Sequence, residues 1–276
     1  MHSPDRHTYG LTTASECEQE ESRLAHMHAA FTRYLDGALS LTPVAASLKR
    51  ILDLGCGSGA WAIQAALKFP DAQVVAIDMS PLPHCELPPN VNFVLANLTE
   101  DWTLEMEAFD MVHSRLVMSH VVNGEDAIRK AAQLVRSGGL MIIEDFDLNS
   151  MVQTGGPATC AFVKKVIELW ASRKADAEIG RKLSGIIKST GCFFDVQVRK
   201  VPAPLCGTGH GEPMNELGRA LKNSWIRVSE DRRLRALGLM EGMAQQQKEE
   251  LIQADCMTVM DVYFCSAQRG YQAAKE

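Results

Sequence analysis

Gly55, Gly57 and Gly59 stand at alternate positions after the short apolar run Ile51 to Leu54, and Asp53 lies two residues before the first of them. Glycine lets a backbone turn tightly and lets a ligand approach where a β-carbon would clash. A strand running into such a loop, and then into a helix starting near Ala60, builds a ligand floor with Cys56 in its middle. Dinucleotides seat a pyrophosphate on the helix N-terminus and use the spacing Gly-x-Gly-x-x-Gly. Here the spacing is Gly-x-Gly-x-Gly, with a carboxylate beside it. That charge repels a pyrophosphate and suits a cationic ligand.

A second carboxylate, Asp78, closes the apolar run Val74 to Ile77, 25 residues after Asp53 and one strand-helix unit later. At the end of a second strand it can accept hydrogen bonds from both hydroxyls of a ribose. The alternative is a turn or cap residue ahead of Ser80 and Pro81. Both acids together point to a cationic nucleoside, S-adenosylmethionine, with Met79 as a further contact. Asn97 follows the third strand, where its amide either meets the adenine edge or simply makes a turn, and Leu98 stands beside it. Tyr9 is placed to cover the donor, because an aromatic face attracts a sulfonium. Plain surface is the other reading of that residue.

With a methyl donor on the loop, an acceptor oxygen, nitrogen or sulfur attacks in line with the departing sulfur. Ligands of open α/β sheets sit at the C-terminal ends of the strands. The fourth and fifth strands end in His113, Ser114, Arg115, Glu144 and Asp145. His113 is the preferred base or orienting residue and also a donor contact, since imidazole titrates near neutral pH. A structural, hydrogen-bonded histidine is the alternative. His120, a turn further on, is the second candidate base. Arg115, Glu144 and Asp145 are assigned to the acceptor, although Arg115 equally suits anchoring the N-terminal helix through Glu20. Met151, Trp170, Met214, Trp225, Met240 and Met243 are available as apolar lining.

These residues need a scaffold that alternates strands and helices. Ile51 to Leu54, Val74 to Asp78, Val91 to Leu95, Met111 to Ser114 and Leu140 to Asp145 are short β-type runs. Helical patterns at Trp61 to Phe69 and Glu125 to Arg136 separate some of them, the second ending at Ser137-Gly138-Gly139. Strands at Phe193 to Val201 and Met257 to Ser266 complete seven. Such alternation predicts an α/β fold with a largely parallel sheet covered on both faces. Leu24, Met27, Phe31 and Leu35 recur at helical spacing, so residues 1–45 form an N-terminal helical lid. Residues 46–276 form the main domain. Helical insertions at about 150–190 and 203–256 supply the acceptor wall, with a loop from Gln153 to Thr159 and irregular chain from Pro202 to Pro213.

Composition sets outer limits. The 276 residues carry a net charge of −6, with 46% apolar and 22% charged residues. A protein that binds by neutralising nucleic-acid phosphates needs a basic surface, so no nucleic-acid partner is expected. No apolar stretch approaches the ~20 residues of a membrane span, and the start resembles no secretory signal. The expectation is a cytoplasmic protein with no membrane partner, whose oligomeric state is left open. Eight cysteines show neither a CxxC pair nor zinc-type spacing, so no metal is expected.

The runs Asp53 to Gly59, Phe109 to Arg115 and Ser137 to Asp145, with Asp78 between them, resemble the successive motifs of class I S-adenosylmethionine-dependent methyltransferases. Tyr9, Glu20, Glu21, Arg23, Asp36-Gly37, Leu87 to Asn90, Glu100, Trp102 and Ile179 to Arg181 are similar to one branch, the fungal secondary-metabolism methyltransferases and their proposed regulatory relatives. The resemblance implies an α/β, doubly wound, mostly parallel seven-stranded Rossmann-like sheet with a final antiparallel strand, donor contacts at Asp53, Gly55, Gly57, Asp78 and Asn97, and a small-molecule acceptor. Two positions depart from it: Asn97 stands where the family commonly has Asp, and Ser137 where it has Pro. Three other readings stand beside this one. The donor's charge catalyses a rearrangement without transfer, the protein regulates through a vestigial site, or the loop takes a nicotinamide.

Overall fold

The computed structural model describes residues 14–83, 86–100, 104–230, 232–236, 238–253 and 255–271. β1 (Arg50–Leu54), β2 (Gln73–Asp78), β3 (Val91–Leu95), β4 (Phe109–Arg115), β5 (Val135–Asp147), β6 (Phe193–Pro204) and β7 (Val259–Arg269) form one sheet in the order β3-β2-β1-β4-β5-β7-β6. β1 to β5 are mutually parallel, and β7 runs antiparallel to both β5 and β6. This is the largely parallel sheet that the alternating pattern predicts, in the doubly wound, seven-stranded form that the resemblance implies. Because β1 lies between β2 and β4, the chain leaves the sheet in opposite directions at neighbouring strand ends, which opens a crevice there.

Both faces of the central strands are covered, so Ile51, Leu52 and Leu54 are fully buried side by side. α2 (Ala60–Lys68) lies on one face, burying Trp61, Ala62, Ala65 and Ala66, and its small residues let it approach the strands closely. On the other face lie α3 (Gly124–Leu134) and α6 (Ile179–Ser189), packed with Met141 and Ile143 of β5.

At the C-terminal edge a cap gathers α1 (Ala14–Tyr34), α4 (Asn149–Thr154), α5 (Pro157–Ser172), α7 (Glu212–Glu230), α8 (Arg232–Ala236) and α9 (Glu241–Ile252). Its core runs from Met27, Phe31 and Phe146 to Trp170, Trp225 and Leu251. α1 joins α7 through an Arg33–Glu216 ion pair of 3.0 Å and a hydrogen bond from Arg23 to Ser224 Oγ. α9 reaches α5 through the Glu250 carboxylate, which accepts the N–H groups of Ala158 and Thr159 at 3.0 Å and so satisfies helix-end donors.

Four sequence expectations need correction. The insertion at about 150–190 is not all cap: α6 buries Ile179, Leu183, Ile186 and Ile187 against the sheet, as the crossover between β5 and β6. The loop at Gln153 to Thr159 is shorter, because α4 extends to Thr154 and Pro157 starts α5. Ser137 to Gly139 ends no helix; α3 stops at Leu134 and β5 runs through the glycines, with Gly138 at φ 73°. β6 continues past Pro202 to Pro204. It is the edge strand, where a missing N–H costs no ladder bond on the open side.

Candidate active site

The glycine loop is tied to the end of β2. The N–H groups of Gly55 and Cys56 both donate to the carbonyl of Ile77, and that of Gly57 donates to Asp78 Oδ2 at 2.8 Å. Gly55, Gly57 and Gly59 have φ of 72°, 55° and 78°, the left-handed region that side chains disfavour. A β-carbon on Gly55 would lie 2.5 Å from Val117 Cγ2, and one on Gly57 3.4 Å from Leu24 Cδ1. The segment after β4 and the helix α1 thus both come down onto the loop. Cys56 and Leu98 are buried, and Met79 is 41% exposed.

Asp78 is buried and its other oxygen accepts from Ser80 N–H at 2.9 Å. Burial pushes its carboxyl above the usual range, against the pull of those N–H groups. Asn97 has a different occupation from the adenine contact expected of it. Its Oδ1 accepts from both the N–H and the hydroxyl of Thr99, and its Nδ2 donates to Glu100. Both carbonyl lone pairs are spent on its own turn. Tyr9 and Trp102 lie outside the described residues.

A polar row crosses the α1 side of the sheet. Asp53 pairs with His113 across β1 and β4, and Arg115 with Glu144 across β4 and β5. His113 is 1% exposed. Its Nδ1 donates to Asp53 Oδ1 at 2.8 Å, since an ionised carboxylate has no proton to give. The ring stacks on Trp61 with centroids 3.6 Å apart, and its Nε2 lies 4.0 Å from Glu144 Oε2. So enclosed, His113 orients Asp53; the acceptor-facing base role does not suit it. Glu144 is fully buried and ion-paired with Arg115. Burial raises its carboxyl, but Arg115 and then His113 outweigh that and hold it low. Arg115 also donates to Leu39 O at 3.1 Å and lies over the Phe31 ring. It therefore anchors the N-terminal segment as the sequence allowed, but not through Glu20, which pairs with Arg23.

Asp145 and His120 fall elsewhere. Adjacent strand residues face opposite sides, so Asp145 points away from Glu144. Its carboxylate accepts from the N–H groups of Ser119 and Phe146, bracing the loop after β4 rather than lining an acceptor wall. His120 is exposed and sits edge-on to Trp170, centroids 4.7 Å apart, and to Phe146 at 5.8 Å. It stands at the border of the cap core, apart from the buried row.

Asp145 sets a pH test. Burial raises its carboxyl to about 6 from an ordinary 3.8. The folded state therefore binds the proton more tightly than the unfolded one, so this group stabilises the fold at low pH and loses that contribution as pH rises through about 6. Between pH 7.5 and 5, urea titrations should show wild type gaining about 1 kcal/mol relative to Asp145→Asn. Parallel pH profiles would contradict this.

His28 is the site residue the sequence reading passed over. It follows Leu24 by four residues on α1 and precedes Phe31 by three, so it shares the face that meets the loop and Arg115. Burial first, and Arg115 second, hold its pKa down to about 4, which leaves the imidazole neutral at physiological pH. It borders a groove of about 520 Å³ between α1 and α2, with Thr32, Gly37 and Gln64.

These geometries meet a consistent set of relatives. A family profile described as a methyltransferase domain matches residues 25–184. Methyltransferase str3 of Strobilurus tenacellus is 33% identical over 82% of this chain and 81% of its own length. The chain belongs to the class I S-adenosylmethionine-dependent methyltransferases. Methyltransferase str2 of the same fungus is 35% identical over 68% of this methyltransferase and 69% of its own length. The secondary metabolism regulator laeA of Aspergillus flavus is 35% identical over 44% of this chain and 33% of its own, which fits the fungal secondary-metabolism branch.

Solved structures share the fold. Phosphoethanolamine N-methyltransferase 2 of Haemonchus contortus, bound to S-adenosylmethionine, has a TM-score of 0.56 and 17% identity, and this chain spans 98% of itself but 59% of that one. The [4+2]-cyclase SpnF has a TM-score of 0.51 and 14% identity, covering 88% of this chain and 82% of its own. One fold hosting both a methyltransferase and a cyclase is why acceptor chemistry has to be argued from side chains.

The cofactor of this methyltransferase is S-adenosylmethionine, and the residues present fit it. Asp53 keeps its second oxygen buried without a hydrogen-bond partner, as does Arg115 with Nη1. An ammonium and a carboxylate, the two ends of an amino-acid head, complement that pair of orphaned atoms. The loop glycines leave the donor floor clear of β-carbons. Among the described residues no cluster of His, Cys, Asp and Glu is placed to hold a metal, and no helix is long and apolar enough to cross a membrane.

Proposed function

We propose that this methyltransferase modifies an oxygen or nitrogen of a small, largely apolar secondary metabolite in the cytoplasm, without a nucleic-acid partner. The observation carrying the proposal is the cap: its apolar core begins at Phe146, the C-terminal end of β5, and extends through Trp170 to Trp225. Bound on the loop, S-adenosylmethionine supplies an electrophilic methyl group on a sulfonium. Asp53 holds the ammonium, Gly55 and Gly57 form the floor, and Asp78 holds the ribose hydroxyls, with Met79 and Leu98 beside the base. Residues 1–45 act as a lid, with Leu24 and His28 of α1 above the loop. Arg115 and Glu144 fix that lid to the sheet.

Positioning dominates such a reaction, because well-oriented reactants gain about 7 to 11 kcal/mol over solution. His120 is the base for an acceptor that must lose a proton, a contribution of about 10² to 10⁴-fold. It is exposed and stands beside the aromatic wall of Phe146 and Trp170.

The test incubates purified protein with methyl-deuterated S-adenosylmethionine and a panel of phenols, carboxylic acids and amines. A labelled product with an equal amount of S-adenosylhomocysteine is the expected result. Product without S-adenosylhomocysteine identifies a rearrangement instead, and no product across the panel counts against small-molecule methylation.

A further inference from the structure

The cap core contains an amide that nothing satisfies. Gln247 of α9 is fully buried, and neither its Oε1 nor its Nε2 has a hydrogen-bond partner among the described residues. Its helical neighbours Ala244 and Leu251 are buried in the apolar cluster around it. Trp225 of α7 is 3% exposed and its Nε1–H also lacks an acceptor, while its ring meets Phe162 of α5 edge-on at 5.9 Å.

The two groups lie where three helices meet. Lys248, next to Gln247, pairs with Glu230 of α7 at 3.3 Å, and Glu250, three residues on, holds the N-terminus of α5. Leucine would fill the Gln247 position with no desolvation penalty, whereas an unpaired buried amide is destabilising. A cap built for stability alone has no use for it.

We propose that Gln247 and Trp225 are the polar contacts through which the cap selects its acceptor, a neutral molecule with an apolar frame that carries both a hydrogen-bond donor and an acceptor oxygen. This rests on the methyl-transfer reading above. Gln247 offers an acceptor oxygen and an NH₂ with two donor hydrogens, and Trp225 one further donor. A hydroxyl answers the Gln247 oxygen, and a carbonyl or ether oxygen answers the N–H groups. An ionised acceptor fits poorly, because Glu250 is already committed to α5 and a desolvated charge would find no counterion here.

The test uses Gln247→Leu and Trp225→Phe, the latter keeping the ring contact with Phe162. Gln247→Leu should raise the melting midpoint by about 2 to 4 °C, because an unsatisfied amide has been replaced by a hydrocarbon. Calorimetry with methyl 4-hydroxybenzoate, in the presence of S-adenosylhomocysteine, should show about tenfold weaker binding for each variant. Affinity for S-adenosylhomocysteine itself should not change. A lower melting midpoint for Gln247→Leu would mean the amide is a water-bridged part of the fold and would overturn the proposal. So would a probe that binds wild type and both variants alike, or binds none of them. If wild type fails to bind S-adenosylhomocysteine, it is the donor reading that falls.

Discussion

Asp78→Ala is expected to weaken binding of S-adenosylmethionine by about 10² to 10⁴-fold. Hydrogen bonds to a charged group contribute about 1.5 to 3 kcal/mol each, and the carboxylate is assigned two ribose hydroxyls. It also accepts the N–H of Gly57, so the loop loses one of its ties to β2. Asp78→Asn should fall between, since an amide oxygen can keep the Gly57 bond while its NH₂ cannot accept. Calorimetry with S-adenosylhomocysteine reads the change directly. A loss within about threefold would reduce Asp78 to a turn brace and sink the ribose assignment.

The second large effect is on stability. Arg115→Met leaves the Glu144 carboxylate, fully buried, without its cation. Breaking a buried pair from one side costs about 3 to 5 kcal/mol, whereas replacing both partners with apolar groups is often near neutral. The double variant Arg115→Met, Glu144→Leu should therefore recover most of the stability that the single variant loses. Urea titrations of the four proteins form the cycle. If Arg115→Met lost less than about 1 kcal/mol, a typical surface pair's worth, the guanidinium would not be neutralising Glu144 in solution.

The loop and the alternation of strands with helices were legible because their causes are local. A strand ending in Gly-x-Gly-x-Gly leaves the chain few alternatives, and apolar runs separated by helical periods demand a covered parallel sheet. Facing was not legible. Alternation says that Glu144 and Asp145 point opposite ways but not which side α1 will cover, so both were assigned to the acceptor and only Glu144 joins the site row. α6 has an apolar stripe that suits a cap or a sheet equally; its partner decides. Asn97 was ambiguous because the same amide can serve a ligand or its own turn. Gln247 was hidden by its neighbours: in the run Gln245-Gln246-Gln247 the first two are exposed and the third is buried, and only packing separates them.

The union of α1 with α7 has a consequence in time. Arg23 and Ser224 are separated by 201 residues, and at ~5 to 20 residues per second a ribosome takes about 10 to 40 s to make the intervening chain. All five parallel strands nearest the donor loop emerge within that interval, while Met27, Phe31 and Leu35 wait for the helix that will shelter them. A nascent chain stalled before residue 212 lacks the α7 partner of this apolar stripe, so its docking is completed only late in synthesis.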